Sequence, residues 1–158
     1  MSLDTISDVE VRPAGQKGLG VFATRNFRPG ETVVVGRRVC VLPHRTIYSI
    51  QVDWNVHVEI DEPAVRINHA YEPNTGVRDN QWGAYDFIAL REIEAGEEIT
   101  FDYETTESEF TEDFQRCCPP RLERNADTHR GFQSIPPEVR AKYGEFIANY
   151  LKAPSDAR

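Results

Sequence analysis

Between residues 9 and 103 the apolar residues fall in short runs, alternating or β-branched. Each run is closed by a glycine, proline or Asp/Asn turn before helical periodicity can develop. That pattern confines this part of the chain to short strands joined by tight turns. Strands are predicted at 9–12, from Val21 onward, and at 32–36, 38–42, 46–52, 56–60 and 85–90, with Asp53-Trp54-Asn55 as a hairpin turn. The reading is therefore mainly β. Helical spacing appears only near the end, where Val139, Tyr143, Phe146, Ile147, Tyr150 and Leu151 make one apolar stripe after Pro136-Pro137 and predict one helix.

A chain of 158 residues is long enough to bury one core without disulfides or metal. With 39% hydrophobic and 28% charged residues, wholesale disorder is not indicated. The net charge of -8 comes without a basic stripe, which argues against a nucleic-acid surface and favours a basic partner. Cys117 and Cys118 are adjacent and Cys40 is alone, so no disulfide framework is expected. No apolar run approaches the ~20 residues of a spanning helix. The start, Met1-Ser2-Leu3-Asp4, has no secretory pattern, so cytoplasmic, reducing surroundings are expected, or the nucleus in a eukaryote.

Two stretches break the apolar pattern. Arg66-Ile67-Asn68-His69-Ala70-Tyr71-Glu72-Pro73-Asn74 sets amides and an imidazole between strand-like flanks. Gly96-Glu97-Glu98-Ile99-Thr100-Phe101-Asp102-Tyr103 is a turn glycine feeding a short strand that ends in tyrosine. The two read as one active site. Lys17-Gly18-Leu19-Gly20 is either a hairpin loop or a backbone that lets a ligand approach closely. The segments 23–33 and 89–99 repeat Ala, Arg, an apolar residue, Gly-Glu and a β-branched residue at equal offsets. Each is predicted to leave one strand, turn at its glycine and enter another. The acidic run Glu104, Glu107, Glu109, Glu112, Asp113 reads as a solvated, mobile segment, although Phe110 and Phe114 within it suggest that it folds over something.

The glycine segment and the two polar stretches, in that order, resemble the SET domain of protein lysine methyltransferases. The resemblance covers residues 8–110, with 111–158 similar to the segment that follows this domain. It implies small curved β-sheets with a pseudoknot-like threading, a topology that periodicity does not reveal. It also implies S-adenosyl-L-methionine as cofactor and, as acceptor, an exposed lysine on a basic protein. By resemblance the cofactor is held by Lys17, Gly18, Leu19, Gly20, Arg66, Asn68, His69 and Phe114. Tyr103 is the catalytic tyrosine, and Tyr48, Trp54, Phe101 and Tyr103 line the lysine channel. Phenylalanine rather than tyrosine at 101 leaves room for methylated amines and implies di- or trimethylation.

These residue types suit the chemistry. A lysine amine, with a pKa of about 10.4, must be neutral to attack. Burial in an aromatic channel beside a sulfonium lowers that pKa, so no dedicated base is needed. Alignment of the reacting atoms supplies roughly 7–11 kcal/mol. The chain departs from the family in having Ala70-Tyr71 where Ser-Cys is usual, and in lacking the later cysteines that bind zinc. No metal site is expected, because structural zinc takes four ligands. Phe110, Phe114 or Phe132, or a second subunit, would then close the site. Rival readings are a small-molecule amine acceptor, an idle peptide-binding module that uses strand addition, and a hydrolase pairing His69 with Asp102.

Overall fold

A computed structural model describes residues 7–110 and 131–152. Its strands are β1 (Val9–Pro13), β2 (Leu19–Ala23), β3 (Thr32–Val35), β4 (Arg38–Leu42), β5 (Ile50–Asp53), β6 (Val56–Ile60), β7 (Asn68–His69), β8 (Thr75–Asp79), β9 (Tyr85–Ala89) and β10 (Glu98–Phe101). They form three small sheets, ordered β1-β2-β10-β7, β3-β9-β8 and β4-β6-β5. Small β-sheets of this kind are what the resemblance implied.

The chain crosses itself in the first sheet. Strand β10, late in sequence, lies between β2, which it meets antiparallel, and β7, which it meets in parallel at Thr100↔Asn68 and Phe101↔His69. The two polar stretches become neighbours through this pairing. Asn74, only 2% exposed, fastens the crossing as a strand would: its Nδ2 donates to Glu98 O at 2.8 Å and its Oδ1 accepts the Thr100 N–H at 2.9 Å.

The repeated segments face each other. Phe27 and Ile93 exchange both backbone hydrogen bonds, at 2.8 and 3.0 Å. Gly30 N–H donates to Ala89 O and Gly96 N–H to Ala23 O, both at 2.8 Å. Arg25 reaches Glu31 and Arg91 reaches Glu97 in the same way within each copy.

The core is continuous across the sheets, with Val21, Val58, Val77, Tyr85, Phe87, Ile93 and Ile99 fully or almost fully buried. Ile135, Tyr143, Ile147 and Leu151 join the same cluster, so the C-terminal residues pack onto the strands.

Two expectations about the late chain are corrected. The single helix is two short pieces, α1 (Pro137–Tyr143) and α2 (Asn149–Lys152). Gly144, at φ 58° and ψ -118°, ends α1 by donating its N–H to Arg140 O, and the apolar stripe continues through a turn instead. The acidic run is not a solvated segment at Glu104 and Glu107, which are each 1% exposed. Buried N–H, hydroxyl and guanidinium donors require acceptors there, and these two carboxylates supply them. Glu104 Oε2 accepts the Gly131 N–H at 2.8 Å and the Ser134 hydroxyl. The remainder of the run, from Glu112, lies outside the described residues.

Candidate active site

The glycine segment begins with a 3-10 turn at Gly15–Lys17, after which Gly18 takes φ 84° and ψ -119°, a conformation closed to ordinary L-residues. Gly20 is required for a different reason. A Cβ there would lie 2.7 Å from Glu98 Oε2, 2.9 Å from the Ala14 methyl and 3.1 Å from Asn68 Nδ2. The backbone of β2 is thus pressed against the side chains of β7 and β10.

Those side chains form a directed network. Asn68 Nδ2 donates to Leu19 O at 2.9 Å and to Glu98 Oε2 at 2.8 Å, and Glu98 Oε1 meets Lys17 Nζ at 2.5 Å. With both amide protons engaged, the amide cannot be flipped. Asn68 Oδ1 accepts nothing among the described residues, so it remains as an acceptor on a half-buried side chain. Glu98 went unnoticed in the sequence. Its signal was a carboxylate sharing a strand face with Thr100, opposite the apolar face of Ile99 and Phe101.

His69 is 8% exposed at its side chain, and Nδ1 accepts the Tyr103 N–H at 3.0 Å. A nitrogen that accepts from a backbone amide cannot also donate to Asp102, whose Oδ1 stands 3.9 Å away. Asp102 itself is buried and accepts the Glu104 N–H at 3.0 Å and the Tyr143 hydroxyl at 2.7 Å. This geometry disfavours the hydrolase pairing. Tyr71 sets its ring edge-on to His69 at 4.3 Å, which gives the unusual Ala70-Tyr71 a packing role.

Tyr103 donates its hydroxyl to Ile67 O at 2.6 Å, and its ring lies 4.7 Å from Phe101 and 5.2 Å from His69. Tyr48, Phe101 and Tyr103 meet around a small cavity of about 30 Å³, together with Ile67, Thr106 and Glu107. A cavity of that size has room for ordered water. Burial pushes the Glu107 carboxyl up, against the opposing pull of Arg45 and the Gln51 N–H.

Trp54, expected in this channel, is elsewhere. It caps the β5–β6 hairpin and packs edge-on against Tyr150 at 5.1 Å, because the Asn55 turn (φ 59°) aims it at the C-terminal residues. Arg66 is the last residue of a 3-10 turn (Ala64–Arg66), and its Nε donates to Glu62 Oε1 at 2.8 Å. Phe110 is buried against Tyr103, Phe132 lies beneath the Arg140 guanidinium at 4.2 Å, and Phe114 is outside the described residues.

A larger cavity of about 730 Å³ lies between the 71–73 loop, the end of β9 and α1. Neither cavity is lined by Lys17, Gly18, Leu19, Gly20, Asn68 or His69.

The sequence matches the SET domain family model over residues 18–104. Among solved structures, a Plasmodium falciparum protein provisionally described as a histone methyltransferase is similar in fold. Its TM-score is 0.51 at 17% identity, over 61% of this chain and 93% of that one. No curated protein matches the sequence. The family match covers more than half of the chain and contains Gly18, Gly20, both polar stretches and Tyr103, so this chain belongs to the SET-domain family, a family of methyltransferases.

Proposed function

We propose that the chain transfers a methyl group from S-adenosyl-L-methionine to a lysine amine on a protein. The observation that carries this reading is Asn68, whose amide is fixed by Leu19 and Glu98 so that Oδ1 is left as an acceptor beside the glycine segment. An oriented acceptor suits the α-ammonium of an amino-acid cofactor. Gly18, where a side chain would meet nothing, keeps the neighbouring backbone bare, Gly20 lets β2 close on Glu98 and Asn68, and Lys17, Leu19, Arg66 and His69 stand in the adjoining chain. The cofactor, when bound, supplies an electrophilic methyl on a positively charged sulfur.

The remaining work falls to the protein. Tyr48, Phe101 and Tyr103 surround the incoming amine with rings and keep water scarce, so that the ammonium form is disfavoured. Tyr103 is held at its hydroxyl by Ile67 O and at its N–H by His69, and it orients the amine rather than ionising. The net charge of -8 favours an acceptor lysine set in a basic segment.

The test is calorimetric titration with S-adenosylmethionine, followed by incubation with labelled cofactor and a panel of histones, cell extract and small amines. Protein-bound label that maps to lysine supports the proposal. Label on small amines alone transfers the activity to a different acceptor, and absence of cofactor binding leaves the idle module. Tyr103→Phe is expected to lower turnover about 100-fold or more, the loss typical of one oriented donor, at unchanged cofactor affinity. Unaltered turnover would remove Tyr103 from its role.

A further inference from the structure

Arg45 and Glu107 make an ion pair that takes no part in the Asn68 network. Their side chains are 6% and 1% exposed, with Arg45 Nε 3.1 Å from Glu107 Oε1. Glu107 Oε2 accepts the Gln51 N–H and the Thr106 hydroxyl, both at 2.9 Å. Arg45 also donates from Nη2 to Gln51 Oε1, which accepts the Ser108 N–H at 2.9 Å and the Ser108 hydroxyl at 3.0 Å. A buried pair of this kind is favourable only when its remaining donors and acceptors are engaged; here Gln51 and Thr106 engage Glu107 Oε2, and Gln51 also takes Arg45 Nη2.

The pair joins the two walls of the small cavity. Arg45 leads into a turn that closes on itself, with Thr46 N–H donating to Ser49 Oγ at 2.8 Å and the Ser49 hydroxyl donating to Thr46 O at 2.9 Å. That turn carries Ile47 and Tyr48, 39% and 61% exposed, to one side of the cavity. Glu107 closes the segment that starts at Tyr103 and forms the facing side. Among the described residues, both ion pairs of Arg45 run to the segment after Tyr103, and the second, to Glu109 at 3.8 Å, is weak because the Glu109 side chain is 77% exposed.

We propose that the Arg45–Glu107 clasp positions the acceptor channel. It holds the Tyr48 turn against Tyr103 and thereby sets which amines, unmethylated or already methylated, fit between them. Neither residue touches the reacting atoms, so both are positioning residues, and the inference rests on the methyltransferase reading of the site. A purely structural pair would lower stability and scale all activity together. A positioning pair changes acceptor KM and product distribution while leaving the Asn68 network intact.

Arg45→Met, Glu107→Gln, Arg45→Lys and the double variant Arg45→Met/Glu107→Gln test the clasp by three measurements on the full chain. These are S-adenosylmethionine affinity by calorimetry, amide hydrogen exchange over residues 46–50, and acceptor kinetics with the mono-, di- and trimethyl ratio by mass spectrometry. Arg45→Met is expected to keep cofactor affinity, exchange faster at 46–50, raise acceptor KM about 10-fold and alter the product ratio. Arg45→Lys should recover part of the KM, since an ammonium keeps the charge without the guanidinium fork. Where a single variant fails to fold, the double variant, which leaves no unpaired buried charge, gives the answer. Unchanged KM and product ratio, or unchanged exchange at 46–50, overturns the proposal. If the wild-type chain methylates nothing, the reading of the site fails, and the exchange measurement still decides whether the clasp holds the turn.

Discussion

Gly18 and Gly20 belong to one short motif, yet the structure requires them for separate reasons, and alanine at each should fail differently. At Gly20 the new methyl would stand 2.9 Å from the Ala14 methyl, against the roughly 3.5–4.0 Å at which carbon atoms pack. Ala14 has no rotamer to change, and its N–H is bonded to Gly18 O at 2.7 Å, so the β1–β2 connection itself must move. Overpacking of this sort costs about 1–3 kcal/mol. Glu98 Oε2, at 2.7 Å from the same methyl, must swing aside and release Asn68 Nδ2. A hydrogen bond to a charged group is worth about 1.5–3 kcal/mol, and that loss falls on the residue proposed to present Oδ1 to the cofactor. Gly20→Ala should therefore weaken S-adenosylmethionine binding about 10- to 100-fold. Gly18→Ala meets nothing within 4 Å, but it forces an L-residue to φ 84°. It should cost about 1–3 kcal/mol of stability and lower Tm by about 2–4 °C per kcal/mol. Calorimetric titration of both variants, paired with thermal melts, separates the two effects. Equal losses of cofactor affinity at the two positions, or native affinity in Gly20→Ala, would refute the argument.

Two further perturbations probe the surroundings. Burial, reinforced by Arg45 and His44 and opposed by Glu109, holds His57 below its ordinary value of 6.5. A lowered histidine contributes stability that is complete above the unfolded value and is lost as pH falls below it. The urea midpoint should therefore drop as pH falls through 6.5 and below, and His57→Gln should flatten that slope; equal slopes would discharge His57. Tyr143→Phe removes the hydroxyl that reaches Asp102 Oδ2 and should destabilise the chain by about 1–3 kcal/mol in urea unfolding. A variant as stable as the parent would show that the C-terminal residues do not brace the strand leading to Tyr103.

What the sequence made legible was local. Strands β3, β4, β6 and β9 declared themselves through apolar or β-branched runs, the hairpin through Asp53-Trp54-Asn55, and the site through residues whose chemistry is out of place between apolar flanks. By contrast, β8 was not foreseen, and 46–49, expected in a strand, is a turn. What stayed hidden depended on partners distant in the chain. Glu104 and Glu107 look like a solvated acidic run until Gly131, Ser134 and Arg45 arrive with donors that need them. Trp54 sits on the expected turn, but its neighbour Tyr150 is fixed by how the last residues dock. The apolar stripe of 139–151 keeps helical spacing even though Gly144 divides it, because burial asks only that each side chain reach the core.

The internal repeat links the legible part to the hidden one. In sequence, 23–33 and 89–99 only resembled each other; in the fold each is the other's hydrogen-bonding partner, centred on Phe27 and Ile93. One copy leaves β2 at Ala23, and the other enters β10 at Glu98. Because Gly96 N–H and Glu97 O both bond to Ala23, the pairing of the copies holds the end of β2 against the start of β10. Glu98 then stands opposite Phe22 in register, and Val21 opposite Ile99, which brings Gly20 under the Glu98 carboxylate. A one-residue slip would send Glu98 to the opposite face of its strand. The carboxylate that orients Asn68 is thus set by two turns that lie outside the site.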